Sequence, residues 1–382
     1  MAKRRVLEQH IAVFGESGSG KTVLVSSFYG AAQEPGFSDH AMLNVVASDI
    51  GQGNLLHRNY LGMRDQARVP EATRFAATSY GFTLKLKDGQ NAQRSAARSF
   101  DSAELRWHDY PGEWFEQGVS GEEEARRRVD TFRALLGSDV ALVFVDGQRL
   151  LDNKGEEERY LKSLLGNLKN GLLSLKDDLL PDGKPLVVFP RIWVMALSKA
   201  DLLPEMDVYG FRDLLVLKAA GELNELREVI TGFIEGSQAL SIGEDFLLLS
   251  SAQFEPGEID VKRRVGVDLM IPLASMLPFE RHARWASALD LPRRVSDHLA
   301  ENAGPIAAAL IRLGAKIPRV GPFVRFIPPD LIAAVAQAGG DKVKAMNHDA
   351  RSKHDGLSGA LTQMRIDLDD GEGAKVLLRS KK

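Results

Sequence analysis

Short apolar runs alternate along this chain with longer segments in which apolar residues recur at helical spacing. That pattern predicts an α/β sheet wrapped by helices. The first run, Ile11–Gly15, predicts a strand, and a helix is expected from near Lys21 through Val23, Leu24, Val25 and Phe28. A long connection from Gly30 to about Ser79 is expected to hold one helix, around Asn54–Gln66. Tyr80–Lys87 then alternates cleanly, with Tyr80, Phe82, Leu84 and Leu86 on one side and Gly81, Thr83, Lys85 and Lys87 on the other. Period two predicts a half-exposed strand. A polar stretch, Asp88–Ser102, separates it from a further strand at Glu104–Asp109, so the two read as an antiparallel pair.

Val140–Asp146 (VALVFVD) is apolar almost without interruption, as a strand buried on both faces should be. A helix-rich stretch, Glu156–Leu180, ends at the turn signal Pro181-Asp182-Gly183. Arg191–Leu197 and Asp245–Ser250 predict two more core strands, with a helical segment, Phe211–Glu235, between them. Beyond about Ala252 the strand signals stop. Val265–Leu277 and His282–Ala303 read as helical, and Gly304–Gly340 is alanine-rich and apolar, broken by Pro305, Pro318, Pro322, Pro328 and Pro329. Its interspersed Arg312, Lys316, Arg319 and Arg325 suit either a membrane-surface element or short helices packed on their own domain, and the prolines favour packing. From Asp341 onward the chain is polar and glycine-containing and is expected to be mobile. The expected organisation is a domain over residues 1–260, a helical region over 261–340 and a mobile tail over 341–382.

Composition narrows the chemistry. The chain has 382 residues, of which 44% are hydrophobic and 26% charged, ordinary values for a globular protein. A formal net charge of −3 gives no electrostatic reason to expect nucleic acid as a partner. With no cysteine, disulfides, thiolate catalysis and Cys-based metal sites are excluded. Polar residues follow the basic ones in Met-Ala-Lys-Arg-Arg-Val-Leu-Glu-Gln-His, unlike a signal peptide, and no run of roughly 18 apolar residues occurs. A cytoplasmic location is expected.

The sharpest local signal is Gly15-Glu16-Ser17-Gly18-Ser19-Gly20-Lys21-Thr22, which matches G-x-x-x-x-G-K-[ST] between a predicted strand and a predicted helix. Glycines let the backbone curl so that successive N–H groups face inward as an anion nest, and the helix N-terminus adds partial positive charge. In such a loop Lys21 meets the β- and γ-phosphates and the Thr22 hydroxyl ligates Mg²⁺. These eight residues, with Val23 after them, form the candidate phosphate site of a P-loop NTPase.

Three further segments follow in order. Trp107-His108-Asp109-Tyr110-Pro111-Gly112-Glu113 holds D-x-x-G at the end of a strand, Ser198-Lys199-Ala200-Asp201 follows the strand RIWVMAL, and Ser250-Ser251-Ala252 follows the last strand. In this arrangement residues 10–255 resemble P-loop GTPases of the translation-factor and Ras-like (TRAFAC) class, which implies a mostly parallel sheet with one antiparallel strand and helices on both faces. The phrase Asp109-Tyr110-Pro111-Gly112-Glu113-Trp114 is similar to the corresponding segment of bacterial YcjX-like P-loop proteins.

The resemblance implies that Asp109 holds Mg²⁺ through water and that the Gly112 N–H meets the γ-phosphate. It implies that Ser198, Lys199 and Asp201 read the base, with the Lys199 stem along it, and that Ser251 and Ala252 contact guanine O6. A carboxylate at Asp201 accepts from guanine N1–H and N2, a donor pair that adenine lacks. Serine at 198 departs from the usual Asn or Thr and is shorter. The threonine that closes on Mg²⁺ is expected at Thr73, with Thr78 as the alternative, and Arg68 and Arg74 lie near it. Glu113 stands where Ras-like proteins carry a water-orienting glutamine; it either orients the attacking water or serves as a salt-bridged switch residue. Glu122-Glu123-Glu124-Ala125-Arg126-Arg127-Arg128 spaces each glutamate four residues before an arginine, as a self-paired helix face or a surface for a protein partner. The implied function is GTP binding and Mg²⁺-dependent hydrolysis as a switch, with a P-loop ATPase or a non-hydrolysing scaffold as rivals. The expected partners are the nucleotide and a protein effector or activator.

Overall fold

The computed structural model describes residues 7–35, 43–70, 78–86, 102–110, 112, 121–299 and 348–381. The chain forms β1 (Leu7–Phe14), α1 (Lys21–Ala32), β2 (Leu43–Ala47), α2 (Ile50–Gln66), β3 (Thr78–Leu86) and β4 (Ser102–Asp109). There follow α3 (Glu122–Leu136), β5 (Val140–Asp146), α4 (Gly147–Asp152), α5 (Glu157–Ser174), β6 (Ile192–Ser198), α6 (Val208–Thr231) and β7 (Ser241–Leu248). A small hairpin of β8 (Gln253–Glu255) and β9 (Glu258–Asp260), α7 (Met270–Ala288), α8 (His348–Gly373) and β10 (Leu377–Leu378) complete it.

Among the described residues, eight strands join in one sheet in the order β10-β7-β6-β5-β1-β4-β3-β2. β1 pairs in parallel with β4 and β5, and β6 pairs in parallel with β5 and β7. β3 and β10 run against their neighbours. The expected α/β architecture, mostly parallel with helices on both faces, is present; the second antiparallel strand comes from the C-terminal segment.

Strand alternation divides the core into two layers. Ile11, Val13, Val140, Leu142, Phe144, Val194 and Ala196 face one way, under α1, α7 and α8. Ala12, Phe14, Val143, Val145, Trp193, Met195 and Leu197 face the other way, under α3, α5 and α6. Every residue of β5 and of β6 is buried, which is why these two strands read as unbroken apolar runs.

Four features depart from the sequence reading. First, the connection after α1 holds a strand as well as a helix: β2 pairs antiparallel with β3 along Leu43–Ala47. The helix also starts four residues early, at Ile50, because the Asp49 side chain accepts from the Gln52 amide at 2.7 Å and caps it. Second, strands do not stop at Ala252. Pro256-Gly257 turns the β8–β9 hairpin, with Gly257 at φ +83° where glycine carries no Cβ penalty. Third, the tail from 341 onward, expected to be mobile, supplies α8 and the edge strand β10. Ala360, Leu361, Met364 and Leu368 of α8 are buried, and Leu377 and Leu378 pair with Leu247 and Phe246. Fourth, the helical region after residue 260 is not a separate appendage: Leu273 and Leu277 of α7 share a core cluster with Ile11 and Leu142. The stretch 304–340 lies outside the described residues. Among the described residues, no helix is long and apolar enough to cross a membrane.

α2 packs on α1 so tightly that a Cβ at Gly30 would lie 2.0 Å from Cγ of Tyr60. Tyr60 and Met63 of α2 in turn cover Ala252, Ile259 and Val261. Gly30→Ala is expected to destabilise the protein by about 1–3 kcal/mol, since a ring carbon rather than a flexible side-chain end must move. A urea titration checks this: the midpoint should fall with the slope unchanged.

Candidate functional site

Every segment singled out by the sequence, where the structure describes it, sits at the C-terminal edge of the parallel strands, where open α/β sheets place their ligands. The loop Gly15–Gly20 leaves β1 and enters α1 at Lys21. Gly18 and Gly20 adopt φ +80° and +91°, conformations that only glycine holds without strain. At Gly15 a Cβ would meet Ser19 Oγ at 2.7 Å and Phe144 Cβ at 2.9 Å, so close approach rather than dihedral angle selects glycine there. Lys21 is buried, and its ammonium donates to the carbonyls of Gly15 at 2.8 Å and Glu16 at 3.1 Å. The cation therefore already lies inside the curl of the loop. Ser19 is buried with it, and its hydroxyl has no hydrogen-bond partner among the described residues. Val23 packs at the margin of the cluster formed by α2 and the β8–β9 hairpin.

β4 runs beside β1 and ends at Asp109, which is in register with Val13 of β1 and with Thr78 of β3. Asp109 is buried. Gly112 stands against the loop itself: a Cβ there would come within 2.1 Å of the Ser17 nitrogen and 2.3 Å of the Glu16 carbonyl carbon. This contact is the physical reason the D-x-x-G pattern ends in glycine here.

At the far side, β6 ends at Ser198, and Lys199 turns the chain in the left-handed region at φ +53°. The Lys199 ammonium reaches Asp146 Oδ2 at 2.8 Å, while Ser198 Oγ donates to the Val145 carbonyl at 3.3 Å. Asp201 accepts from Ser250 Oγ at 2.7 Å and from the Phe254 amide at 3.4 Å. These two bonds orient the carboxylate and use about two of its four lone-pair directions, leaving the others for a ligand. The Ser251 carbonyl accepts from Ser27 Oγ of α1 at 2.7 Å, and Ala252 is buried under α2. Ser198, Lys199, Asp201, Ser251 and Ala252 are thus brought together, and one hydrogen bond ties them to the helix that starts at the phosphate loop.

Asp146 and Arg149 belong to this edge and escaped the sequence reading. Asp146 ends β5, caps α4 by accepting from the Gln148 amide at 2.9 Å, and pairs with Lys199. Arg149 of α4 reaches Glu16 of the loop at 2.9 Å. The available signal was the Asp-Gly step directly after a fully apolar strand. Thr73, Arg74 and Glu113 lie outside the described residues, and Thr78 is the first residue of β3. The acidic–basic helix splits in two: Glu123–Arg127 is exposed at 3.4 Å, whereas Arg128 is buried and bonds Glu124 at 2.9 Å.

A hydroxyl at the first turn of α1 (Thr22) and a carboxylate at the end of the neighbouring strand (Asp109) form an all-oxygen pair. That donor set suits a hard divalent cation held mainly by phosphate oxygens and water. Among the described residues no cluster of three or more His, Asp or Glu side chains forms a metal cage.

No family model matches the sequence, and no curated protein matches it. Among solved structures, the chain is similar to the signal recognition particle receptor SRb-GTP/SRX complex from Chaetomium thermophilum, at 16% identity over 65% of this chain and 93% of that one, with a TM-score of 0.32. It is also similar to Roco2 RocCORdC from Methanosarcina barkeri bound to GDP, at 10% identity over 83% of this chain and 79% of that one, with a TM-score of 0.27. Likenesses this distant carry no argument about function.

Proposed function

We propose that the chain binds a guanine nucleotide across this sheet edge and hydrolyses GTP with Mg²⁺, as a nucleotide-controlled switch of the TRAFAC kind. The observation that carries the reading is one alignment. A glycine loop with an ammonium folded inside it, an Asp109–Gly112 segment pressed on that loop and an oriented Asp201 carboxylate all share one edge.

Each residue has a task that follows from its place. Loop amides and Lys21 neutralise the phosphates, and Lys21 exchanges its two carbonyl acceptors for phosphate oxygens, which form stronger charge-assisted bonds. Thr22 and Asp109 would hold the cation, which would supply charge neutralisation to the phosphates. Gly112 touches the loop backbone, so a γ-phosphate there displaces or engages the segment that carries Glu113. Glu113 is the proposed group that orients the attacking water. Lys199, held by Asp146, lines the base, and Asp201 selects guanine. A protein effector or activator at the switch regions is the proposed partner, and a cytoplasmic location is proposed with it. Likeness of Asp109–Trp114 to YcjX-like proteins fits the same reading.

Calorimetric titration with GTP, GDP and ATP in the presence of Mg²⁺ tests binding. GTP and GDP are expected to give heat and ATP little; heat from ATP alone would replace this reading with an ATPase. Asp201→Asn presents an amide where guanine needs two acceptors. It is expected to cost GTP affinity about 10- to 100-fold and to bring xanthosine triphosphate above GTP. Retention of GTP preference by that variant would remove Asp201 from the base site. Single-turnover phosphate release, with and without Glu113→Ala, distinguishes hydrolysis from a scaffold that binds without turnover.

A further inference from the structure

The second position of the phosphate loop poses an electrostatic problem. Glu16 is buried, its side chain only 5% exposed, in the loop whose amides and lysine are arranged to receive a polyphosphate. A carboxylate withdrawn from water beside several phosphate charges repels them, and the repulsion is poorly screened where solvent is excluded. The carboxylate also carries a desolvation cost that only a close cation offsets.

That cation is supplied from α4. Arg149 Nη1 stands 2.9 Å from Glu16 Oε2. Its helix is fixed at the start by Asp146, whose side chain accepts from the Gln148 amide at 2.9 Å and from Lys199 Nζ at 2.8 Å. The Asp146 amide donates in turn to the buried Tyr160 hydroxyl at 2.9 Å. One short helix therefore connects the phosphate loop at Glu16 with the base loop at Lys199.

The geometry points to Arg149 as a positioning residue for the polyphosphate: it neutralises Glu16 within the loop and ties the phosphate end of the site to the base end through Asp146. This rests on the nucleotide reading above. Arg149 acts through Glu16 and need not touch the nucleotide. Its effect is electrostatic, so it grows with the charge of the phosphate chain and disappears when the Glu16 charge is removed.

The test is a charge-graded cycle. Wild type, Arg149→Ala, Arg149→Lys, Glu16→Gln and the double variant Glu16→Gln/Arg149→Ala are each titrated with GTP, GDP and GMP in Mg²⁺, after thermal melts confirm folding. Arg149→Ala is expected to weaken GTP about tenfold or more, GDP less and GMP least. Arg149→Lys should recover most of the loss, and the double variant should bind GTP more tightly than Arg149→Ala does. An equal loss for all three nucleotides, or a double variant no better than Arg149→Ala, would show that Arg149 matters only for packing and overturns the inference. Should Arg149→Ala fail to fold, the comparison passes to Glu16→Gln, Arg149→Lys and the double variant. A double variant that folds but loses GTP tenfold relative to Glu16→Gln then overturns it. Wild type that binds none of the three nucleotides sinks the parent reading instead, a result that the wild-type titration alone reveals.

Discussion

Lys21→Ala is expected to abolish measurable heat for GTP, GDP and ATP alike. In the free protein the Lys21 ammonium bonds the carbonyls of Gly15 and Glu16, so it is already poised within the loop before a ligand arrives. Alanine removes the charge-assisted contacts that would pass to the phosphate oxygens, each worth about 1.5–3 kcal/mol. Losing two of them lowers affinity by about 100-fold or more. It also leaves the two loop carbonyls without their donor, so the melting temperature of the free variant should fall slightly. Titration calorimetry with Mg²⁺ is the measurement, and a variant that keeps GTP within tenfold of wild type would take the loop out of the site.

Arg281→Ala is expected to produce the largest loss of stability. The Arg281 guanidinium faces the Asp245 carboxylate through two bonds, at 2.8 and 3.2 Å, with the two side chains 2% and 0% exposed. Ser241 Oγ bonds the same carboxylate, and the Ser380 amide donates to it at 2.8 Å. Truncating the arginine leaves a buried carboxylate without its cation. That costs about 3–5 kcal/mol, which corresponds to a drop of roughly 6–20 °C in melting temperature for a domain of this order of size. Because the pair joins α7, β7 and the residues after β10, limited proteolysis of the variant should open first near residue 375. Replacing Asp245 and Arg281 together with apolar residues of similar volume should recover much of the loss, since no lone charge then stays buried. A melting temperature within 2–3 °C of wild type for Arg281→Ala would mean that the pair is less important than its burial suggests.

Legibility in the sequence followed the range of the interactions concerned. VALVFVD and RIWVMAL read correctly as central strands because burial on both faces leaves a continuous apolar run, whichever strands lie beside them. The glycine loop between β1 and α1 was legible because its signal is local: Gly15, Gly18, Gly20, Lys21 and Thr22 fall within eight successive residues. β2 was not legible, since Leu43–Ala47 is deeply buried only at Val45 and its partner β3 lies beyond α2. The start of α2 was hidden for a similar reason, because Ile50 is 81% exposed and breaks the helical pattern. Leu361, Met364 and Leu368 did carry a helical period, but the polar, glycine-containing composition around them outweighed it. Lys199–Asp146 and Arg149–Glu16 join residues far apart in sequence, and no periodicity announces such pairs. Of the residues proposed for the chemical step, Thr73 and Glu113 were named from motif position alone.

The late arrival of β10 bears on how the protein is made. Asp245 of β7 meets Ser380, which lies 135 positions later in the chain. At about 5–20 residues per second, translation needs on the order of ten seconds to span that gap. During this interval the outer edge of β7 offers its unsatisfied amides and carbonyls to any passing strand. Nascent chains on one polysome should therefore be most prone to pair with each other along β7, and a chaperone that shields this edge would raise the yield of native protein.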